Sequence, residues 1–298
     1  MLEPEHQRRD GLALVDKEAG WTSHDVVAKA RGLLRNRRIG HSGTLDPDAT
    51  GLLLLGVGRV TRLLRFLTVL PKTYVGELVL GVETSTLDAA GEVVATHDMS
   101  AVTEDRVRSE AAKLTGDILQ VPPMVSAVRV GGKRLHQLAR AGQVVDREPR
   151  AVSVRRFDIE AIVTAVGTYR FTVECSSGTY VRSLAADLGR ALGGGAHLHR
   201  LRRTAIGSFT LEDARPLDEL VVIAPVEALR DYPSVVVGSD LAADVRHGKV
   251  LERERVSFEG DGPWAVVDAE GDLLAVYEHH KGDMVKPTVV IAPAGAHG

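Results

Sequence analysis

Apolar and polar positions follow two different periods in the first quarter of this chain. The run Gly11–Val15 predicts a short strand, and the uninterrupted apolar run Leu52–Val57 predicts a buried one. Between these two runs, apolar residues recur at helical spacing as far as about Leu34. Thr22 and Ser23 stand just before that segment, where a hydroxyl side chain can cap the first turn of a helix. The pattern therefore predicts a strand, an amphipathic helix and a second strand.

The middle of the chain continues with further strands and helices. Tyr74–Val82 alternates in part and predicts a strand, whereas Thr103–Leu114 predicts a helix with acidic residues in its first turn. Val152–Cys175 predicts two strands on either side of a glycine. Tyr180–Leu192 predicts a helix that ends at three glycines. This combination of elements is typical of a mixed α/β (α+β) fold.

The segment around Asp231 marks a candidate domain boundary. Short apolar runs separated by glycine turns follow it and predict three strands, at Ala265–Asp268, Leu273–Tyr277 and Thr288–Ile291. We therefore expect a larger domain over residues 1–230 and a small β-rich domain over residues 231–298.

The composition is that of a globular protein, because hydrophobic residues make up 44% of the 298 positions and charged residues 26%. The single cysteine, Cys175, excludes an intrachain disulfide and fits a reducing compartment. The first ten residues are polar and charged, unlike a secretory signal peptide, and no apolar run approaches the ~20 residues of a membrane helix. Cytoplasmic residence without membrane association is the simplest interpretation.

The net charge of −3 by itself argues against a nucleic-acid partner, but the charge is unevenly distributed. Residues 1–75 carry 12 Lys/Arg against 8 Asp/Glu, and residues 121–156 carry 8 against 2. Phosphate binding requires local density of basic side chains rather than a basic whole protein. Residues 121–150, with paired prolines and paired glycines, are expected to form a basic arm that could bind a nucleic acid. The alternative interpretation is that such clusters are only solvated surface.

Candidate chemistry is concentrated between Arg37 and Gly51. Three glycines and Pro47 in this stretch predict a tightly turned loop rather than a helix or strand, around the carboxylate of Asp46. An aspartate before a proline is common in ordinary turns, so this dipeptide alone favours a structural role. The surrounding pattern reverses that preference.

The segment Gly40–Gly51 resembles the catalytic loop of the TruB family of tRNA pseudouridine synthases, G-H-x-G-x-L-D-P-x-A-x-G, at every fixed position. Glu18 departs from the family, which commonly has proline there. The resemblance covers roughly residues 11–211, because further family motifs follow in the same order: Asp16–Ser23, Lys72–Tyr74, Ser177–Arg182 and Leu201–Thr204. A weaker resemblance to a PUA-type RNA-binding module lies in Gly248-Lys249, Gly271–Ala275 and Lys286-Pro287.

The TruB resemblance implies a pseudouridine synthase fold with a largely antiparallel central sheet and a small PUA-like C-terminal domain. It implies a monomer that isomerises one uridine in the T loop of tRNA, conventionally position 55, after flipping the base out of the RNA. Breaking a C–N bond and forming a C–C bond requires no redox change, so no cofactor and no metal are expected.

Three residues are expected to carry the catalysis. The carboxylate of Asp46 could attack C6 of the uracil, attack C1′ of the sugar, or deprotonate C2′, and the sequence leaves these alternatives open. The guanidinium of Arg182 could hold that carboxylate ionised and oriented. Tyr74 could stack on the flipped base and help to remove the C5 proton, although core packing is the usual role of a strand tyrosine.

The RNA is expected to contact mainly basic residues. His41 could fill the place of the target base in the stack or hydrogen-bond a phosphate. The other expected contacts are Lys17, Arg37, Arg38, Lys133, Arg134, Arg202 and Arg203.

Two rival functions follow from the same sequence. A tRNA-binding or tRNA-folding chaperone could keep the fold with little or no catalysis, although an intact Asp46, Tyr74 and Arg182 set argues against it. A metal-dependent hydrolase would need a metal site, and neither His197-Leu198-His199 nor His279-His280 has a third ligand at metal spacing.

Overall fold

The computed structural model describes residues 10–126, 128–130, 132–135, 138, 143, 145–165 and 167–291. The chain divides into two compact units. The first unit comprises Met1–Pro47, Gly51–Val69 and Gly207–Gly298, and the second comprises Asp48–Thr50 and Leu70–Ile206. The predicted boundary near residue 231 stays a prediction.

Strands outnumber helices among the described residues. The strands are β1 (Gly11–Lys17), β2 (Ile39–Ser42), β3 (Thr50–Val57), β4 (Lys72–Leu80), β5 (Val82–Thr84), β6 (Val93–Thr96), β7 (Gly116–Gln120), β8 (Arg129–Val130), β9 (Lys133–Arg134), β10 (Arg150–Ala161), β11 (Thr168–Cys175), β12 (Ala196–Ile206), β13 (Phe209–Thr210), β14 (Ser234–Val236), β15 (Leu251–Glu252), β16 (Trp264–Val267), β17 (Leu273–His279) and β18 (Met284–Val290). The helices are α1 (Ser23–Leu33), α2 (Leu64–Val69), α3 (Glu104–Lys113), α4 (Val181–Ala191), α5 (Ser239–Arg246) and α6 (Arg253–Val256). Short 3-10 helices cover Gly58–Arg62, Leu211–Asp213, Leu217–Glu219 and Pro225–Leu229.

The first unit is built on β3, which pairs antiparallel with β1 and with β2. Leu53 and Leu55 of β3 are fully buried and belong to the same core as the apolar side of α1. Helix α1 begins where the sequence predicts, because the Thr22 hydroxyl accepts a hydrogen bond from the Asp25 amide and closes a capping box. This local cap fixes the point at which the chain turns back towards the sheet.

The same unit contains a five-stranded sheet in the order β14-β16-β17-β18-β15. Its pairs are antiparallel except β14 with β16. The core beneath it is aromatic: Trp264 and Tyr277 are buried, and Phe258 stacks on Trp264 with ring centroids 4.6 Å apart. The predicted strands are present here, and the structure adds helices α5 and α6, which the sequence pattern did not predict.

The second unit contains the antiparallel run β12-β4-β11-β10-β7, and helix α4 contacts β12. Every second residue of β11 is buried, as expected for an antiparallel sheet with one solvated face. Strands β10 and β11 lie on either side of the predicted glycine turn. The mixed α/β fold with a largely antiparallel sheet is therefore confirmed.

The loop around Asp46 is shorter than the sequence predicts. Ile39–Ser42 forms β2, and Thr50 and Gly51 already belong to β3, so only residues 43–49 form the loop. The expectation was wrong at Gly40, because this glycine pairs with Gly56 in the sheet. An added Cβ at either glycine would lie 3.0–3.1 Å from the Leu64 side chain. These two glycines therefore allow close packing rather than a turn.

Candidate active site

Asp46 lies at the centre of the loop between β2 and β3 and is half-buried. Gly43 has a φ of +81°, a backbone conformation that residues with a Cβ rarely adopt. Leu45, directly before Asp46, is only 3% exposed. The carboxylate therefore projects from a loop whose neighbouring residue is inserted into the protein.

Lys17 anchors the backbone that follows Asp46. Its ammonium donates hydrogen bonds to the carbonyl oxygens of Glu18 (2.9 Å), Trp21 (2.7 Å) and Pro47 (3.0 Å). The amide of Gly20 donates to the same Pro47 oxygen at 3.0 Å. Lys17 is 1% exposed, so it lies inside the protein, which argues against the RNA contact expected for it. Its three acceptors indicate a structural role in holding the loop.

His41 lies on β2, opposite Leu55, and is partly exposed. Its ring meets the ring of His24 edge-on, with the centroids 5.3 Å apart. Arg37 and Arg38 are exposed just before this strand, and the Arg38 side chain donates to the Thr61 hydroxyl at 3.1 Å. These two arginines are therefore accessible to a large polyanion.

In the second unit, Tyr74 lies near the start of β4 and is 8% exposed. Its neighbours across the sheet are Val173 on β11 and Arg203 on β12. Lys72 is also buried, and its ammonium donates to the carbonyl of Leu70 at 2.7 Å. Burial, with a further contribution from the nearby Arg203 charge, lowers the pKa of Lys72 to about 8.

Arg182 lies in the first turn of α4 and is 5% exposed. Its guanidinium lies 3.1 Å from a carboxylate oxygen of Asp88 and donates to the carbonyls of Thr86 (3.1 Å) and Val125 (2.9 Å). The start of α4 is itself fixed by the Gln120 side chain, which accepts from the amide of Tyr180 at 2.7 Å and donates to its carbonyl at 3.1 Å. A pairing of Arg182 with Asp46 stays a prediction.

Asp88 is a partner of Arg182 that the sequence reasoning missed. It lies between β5 and β6, 94 residues before Arg182. No local spacing connects the two, so the sequence contains no simple signal for the pair. An ion pair of this kind, with an arginine that is almost fully buried, holds the guanidinium in one orientation.

The remaining basic residues differ in how far they are exposed to solvent. Arg202 is partly exposed and donates to the Thr50 hydroxyl at 3.3 Å. Arg203 is 1% exposed, and this burial in the sheet argues against the RNA contact expected for it. Lys133 and Arg134 form β9, which pairs with β8 in a hairpin of the expected arm, and their side chains lie outside the description.

The two histidines of the His197-Leu198-His199 motif lie in different surroundings. His197 is buried with its Nδ1 3.0 Å from the carbonyl oxygen of Val82, whereas His199 is exposed. Among the described residues, no group of three or more His, Cys, Asp and Glu side chains could hold a metal ion. Nor is any helix in the described part of the chain long and apolar enough to cross a membrane.

The fold is shared with solved structures. An H/ACA RNP bound to a substrate RNA containing 2'-deoxyuridine contains a chain that superimposes with a TM-score of 0.71 at 24% identity, covering 95% of this chain and 85% of that one. A chain of a Cbf5-Nop10-Gar1 complex has the same TM-score at 25% identity, with 96% and 84% covered. Together with the loop that presents Asp46, this fold defines the class as the pseudouridine synthases.

Sequence comparison assigns the family within that class. Residues 31–181 match the profile "TruB family pseudouridylate synthase (N terminal domain)", residues 182–231 "tRNA pseudouridylate synthase B C-terminal domain", and residues 232–292 "tRNA Pseudouridine synthase II, C terminal". The tRNA pseudouridine synthase B of Rhodococcus jostii (strain RHA1) is 46% identical over 95% of this chain and 94% of its own length. The corresponding protein of Streptomyces coelicolor (strain ATCC BAA-471 / A3(2) / M145) is 45% identical over 93% and 96%. The chain belongs to the TruB family.

Proposed function

We propose that this chain isomerises the uridine at position 55, in the T loop of tRNA, through Asp46 and without a cofactor. Family membership supports the coarser part: the chain is a tRNA pseudouridine synthase, an isomerase that converts uridine to pseudouridine in tRNA. The reaction replaces the C–N bond between sugar and base with a C–C bond between the same two partners. Atoms and electrons balance within the nucleotide, so the proposal needs no co-reactant.

The observation that carries the proposal is the anchored backbone on both sides of Asp46. Lys17 and Gly20 bind the carbonyl of Pro47, and Leu45 is inserted into the protein. A carboxylate on such a backbone meets its target in a narrow range of positions, which lowers the entropic part of the barrier. Attack at C6, attack at C1′ and deprotonation at C2′ all require this placement, and the proposal covers each of them.

Tyr74 and Arg182 complete the proposed catalytic set. The ring of Tyr74 would stack on the extruded uracil, and its hydroxyl would assist removal of the C5 proton. The guanidinium of Arg182 would stabilise negative charge at the site, and Asp88 would keep it in place through their 3.1 Å contact. Arg182 is held by two backbone carbonyls as well, so it is oriented before any substrate arrives.

The tRNA would be recognised through phosphates and the shape of the T arm. Arg37 and Arg38 are exposed, Arg202 is partly exposed, and Lys133 and Arg134 lie in the hairpin of the arm. Flipping the target uridine leaves a gap in the stack, where His41 would insert or bind a phosphate. Lys17 and Arg203 would act from the interior, by supporting the site rather than touching the RNA.

We also propose that the enzyme acts as a monomer in the cytoplasm. All of the proposed site residues belong to one chain, and the single cysteine, Cys175, suits a reducing compartment.

Replacing Asp46 with Asn tests the proposal. The variant keeps the shape of the side chain and removes its charge, so we expect tRNA binding to persist while pseudouridine formation falls by orders of magnitude. The matched control is Asp48→Asn, the same charge change at an exposed position of the same loop, which should keep near-normal turnover. Modification is read at single-nucleotide resolution on a tRNA transcript, and a transcript with cytidine at position 55 serves as the site control.

Each other outcome has a defined meaning. Near-normal turnover by Asp46→Asn contradicts the catalytic role of the carboxylate. Modification that persists in the cytidine-55 transcript contradicts the assigned position. A wild-type chain that binds tRNA without forming pseudouridine indicates a tRNA-binding or tRNA-folding chaperone instead.

A further inference from the structure

The side chain of Ser23 binds both backbone groups of the residue before Asp46. Its hydroxyl oxygen accepts a hydrogen bond from the Leu45 amide at 2.9 Å and donates one to the Leu45 carbonyl at 3.2 Å. Both Ser23 and Leu45 are buried, at 0% and 3% exposure. Because buried backbone groups require partners, this single hydroxyl satisfies two of them at once.

Ser23 is not needed to cap the helix in which it lies. Thr22 is the N-cap of α1, and its hydroxyl accepts from the Asp25 amide at 3.1 Å. The Asp25 carboxylate in turn accepts from the amide of Thr22 at 2.9 Å. The capping box therefore satisfies the amides of Thr22 and Asp25 without Ser23, whereas the Ser23 hydroxyl is directed to the Asp46 loop, 22 residues further along the chain.

The two anchors of the loop act on opposite sides of the same residue. Lys17 and Gly20 bind the carbonyl of Pro47, after Asp46, and Ser23 binds Leu45, before it. With both neighbours fixed, the Cα of Asp46 keeps its place and only the short side chain remains to rotate. Loss of one anchor would release the backbone dihedrals on that side.

We propose that Ser23 is a positioning residue for the Asp46 carboxylate, a role that rests on the proposed catalytic function of Asp46. Ser23 acts through the backbone of Leu45 and does not touch the substrate. Its contribution therefore belongs to the rate of the chemical step and not to the binding of tRNA. A misplacement of about 1 Å in a reacting group can cost about 100-fold in rate.

The test compares Ser23→Ala with Thr22→Ala. Ser23→Ala removes both contacts to Leu45, and we expect kcat to fall by about 100-fold while KM for tRNA stays within about twofold. Thr22→Ala removes the adjacent cap and should lower the melting temperature, but it leaves the Leu45 contacts in place and should keep kcat within about threefold. Ser23→Thr keeps the hydroxyl and should restore most of kcat relative to Ser23→Ala.

Two results would overturn the proposal. One is a folded Ser23→Ala enzyme with near-normal kcat, and the other is an equal loss of kcat in Thr22→Ala. If Ser23→Ala does not fold, Ser23→Cys serves in its place, because the thiol has a similar size and bonds more weakly, and normal kcat in that variant overturns the proposal equally.

The Asp46→Asn background separates this proposal from the proposed function. In that background, Ser23→Ala should leave the Kd for tRNA unchanged, and a clear loss of affinity would assign Ser23 to binding instead. An active Asp46→Asn enzyme removes the catalytic role itself. An inactive Asp46→Asn enzyme beside a fully active Ser23→Ala enzyme removes only the role of Ser23.

Discussion

Burial changes the chemistry of individual residues in the second unit. Lys72 and Cys175 face each other across β4 and β11, and both are buried. Burial lowers the pKa of the Lys72 ammonium to about 8 and raises the pKa of the Cys175 thiol to about 11, since desolvation disfavours either charged form. The ammonium is thus destabilised near neutral pH, whereas the thiol stays neutral and suits the core.

Lys72 makes the stability of the protein depend on alkaline pH. The pKa is about 8 in the folded chain against a reference value of 10.5, so the unfolded chain binds more protons between these values. The contribution of Lys72 to the free energy of unfolding should therefore rise with pH from about 8 towards 10.5, by roughly 1 kcal/mol per pH unit, whereas the raised pKa of Cys175 contributes in the opposite direction above about pH 9. Denaturant unfolding at pH 7.0, 8.5 and 9.5 should show this rise in the difference between the wild type and Lys72→Met, because Cys175 is present in both proteins.

The control for this measurement is Lys29→Met, which replaces an exposed lysine of α1. That variant should follow the wild type at all three pH values. A stability difference between wild type and Lys72→Met that is independent of pH would contradict the lowered pKa.

At the scale of elements, identical residues in two helices have opposite surroundings. Gly32 lies near the end of α1, and a Cβ added there would meet nothing within 4 Å. Gly189 lies near the end of α4, and a Cβ there would lie 2.3 Å from the amide nitrogen of Ala196. Helix propensity predicts the same effect of a Gly→Ala change at both positions. The two positions differ because α4 approaches the start of β12 closely at Gly189.

Replacing each glycine with alanine should therefore give effects of opposite sign. Gly32→Ala should raise the free energy of unfolding by about 0.5–1 kcal/mol, because alanine is the better helix former and meets no obstacle. Gly189→Ala should lower it by about 1–3 kcal/mol, since the methyl group collides with backbone that cannot turn away. Urea unfolding of both variants checks this, and stabilisation by Gly189→Ala would show that α4 can move away from β12.

At the scale of the whole molecule, charge is segregated along the chain. Residues 1–75 and 121–156 are basic, whereas residues 231–298 carry 6 Lys/Arg against 12 Asp/Glu. A protein with a net charge of −3 can bind a polyanion only through the basic parts, and the acidic remainder limits unspecific attraction. The salt dependence of tRNA binding should therefore report which arginines face phosphates.

Arg37→Ala and Arg38→Ala should each reduce the slope of log Kd against log salt by about 0.7–0.9, because each removes one phosphate contact. The control is Arg255→Ala, an exposed arginine of the acidic C-terminal segment, which should leave the slope unchanged. Filter binding over roughly a sixfold range of salt concentration, from about 50 to about 300 mM, measures the slope of log Kd against log salt for each variant. An unchanged slope in Arg37→Ala and Arg38→Ala would remove both residues from the RNA interface.

Features that depend on neighbours in the chain could be predicted from the sequence. Thr22 and Thr103 cap α1 and α3 through side chains that bind the amide three residues on, so the pattern within one turn is sufficient. The apolar run of β3 is buried because its composition leaves no other stable place for it. The motif around Asp46 likewise marked the candidate carboxylate, although it overestimated the length of the loop.

Tertiary structure decided which charged and polar side chains lie inside and what they bind. Sheet pairing buries Arg203. The loop returns to Lys17, whose ammonium donates to the Pro47 carbonyl, and α4 brings Arg182 to Asp88. Such contacts join residues 30 to 94 positions apart, and each depends on the register of strands and the direction of a helix. Local sequence cannot encode these distances, because the free energy that sets them comes from packing the core as a whole.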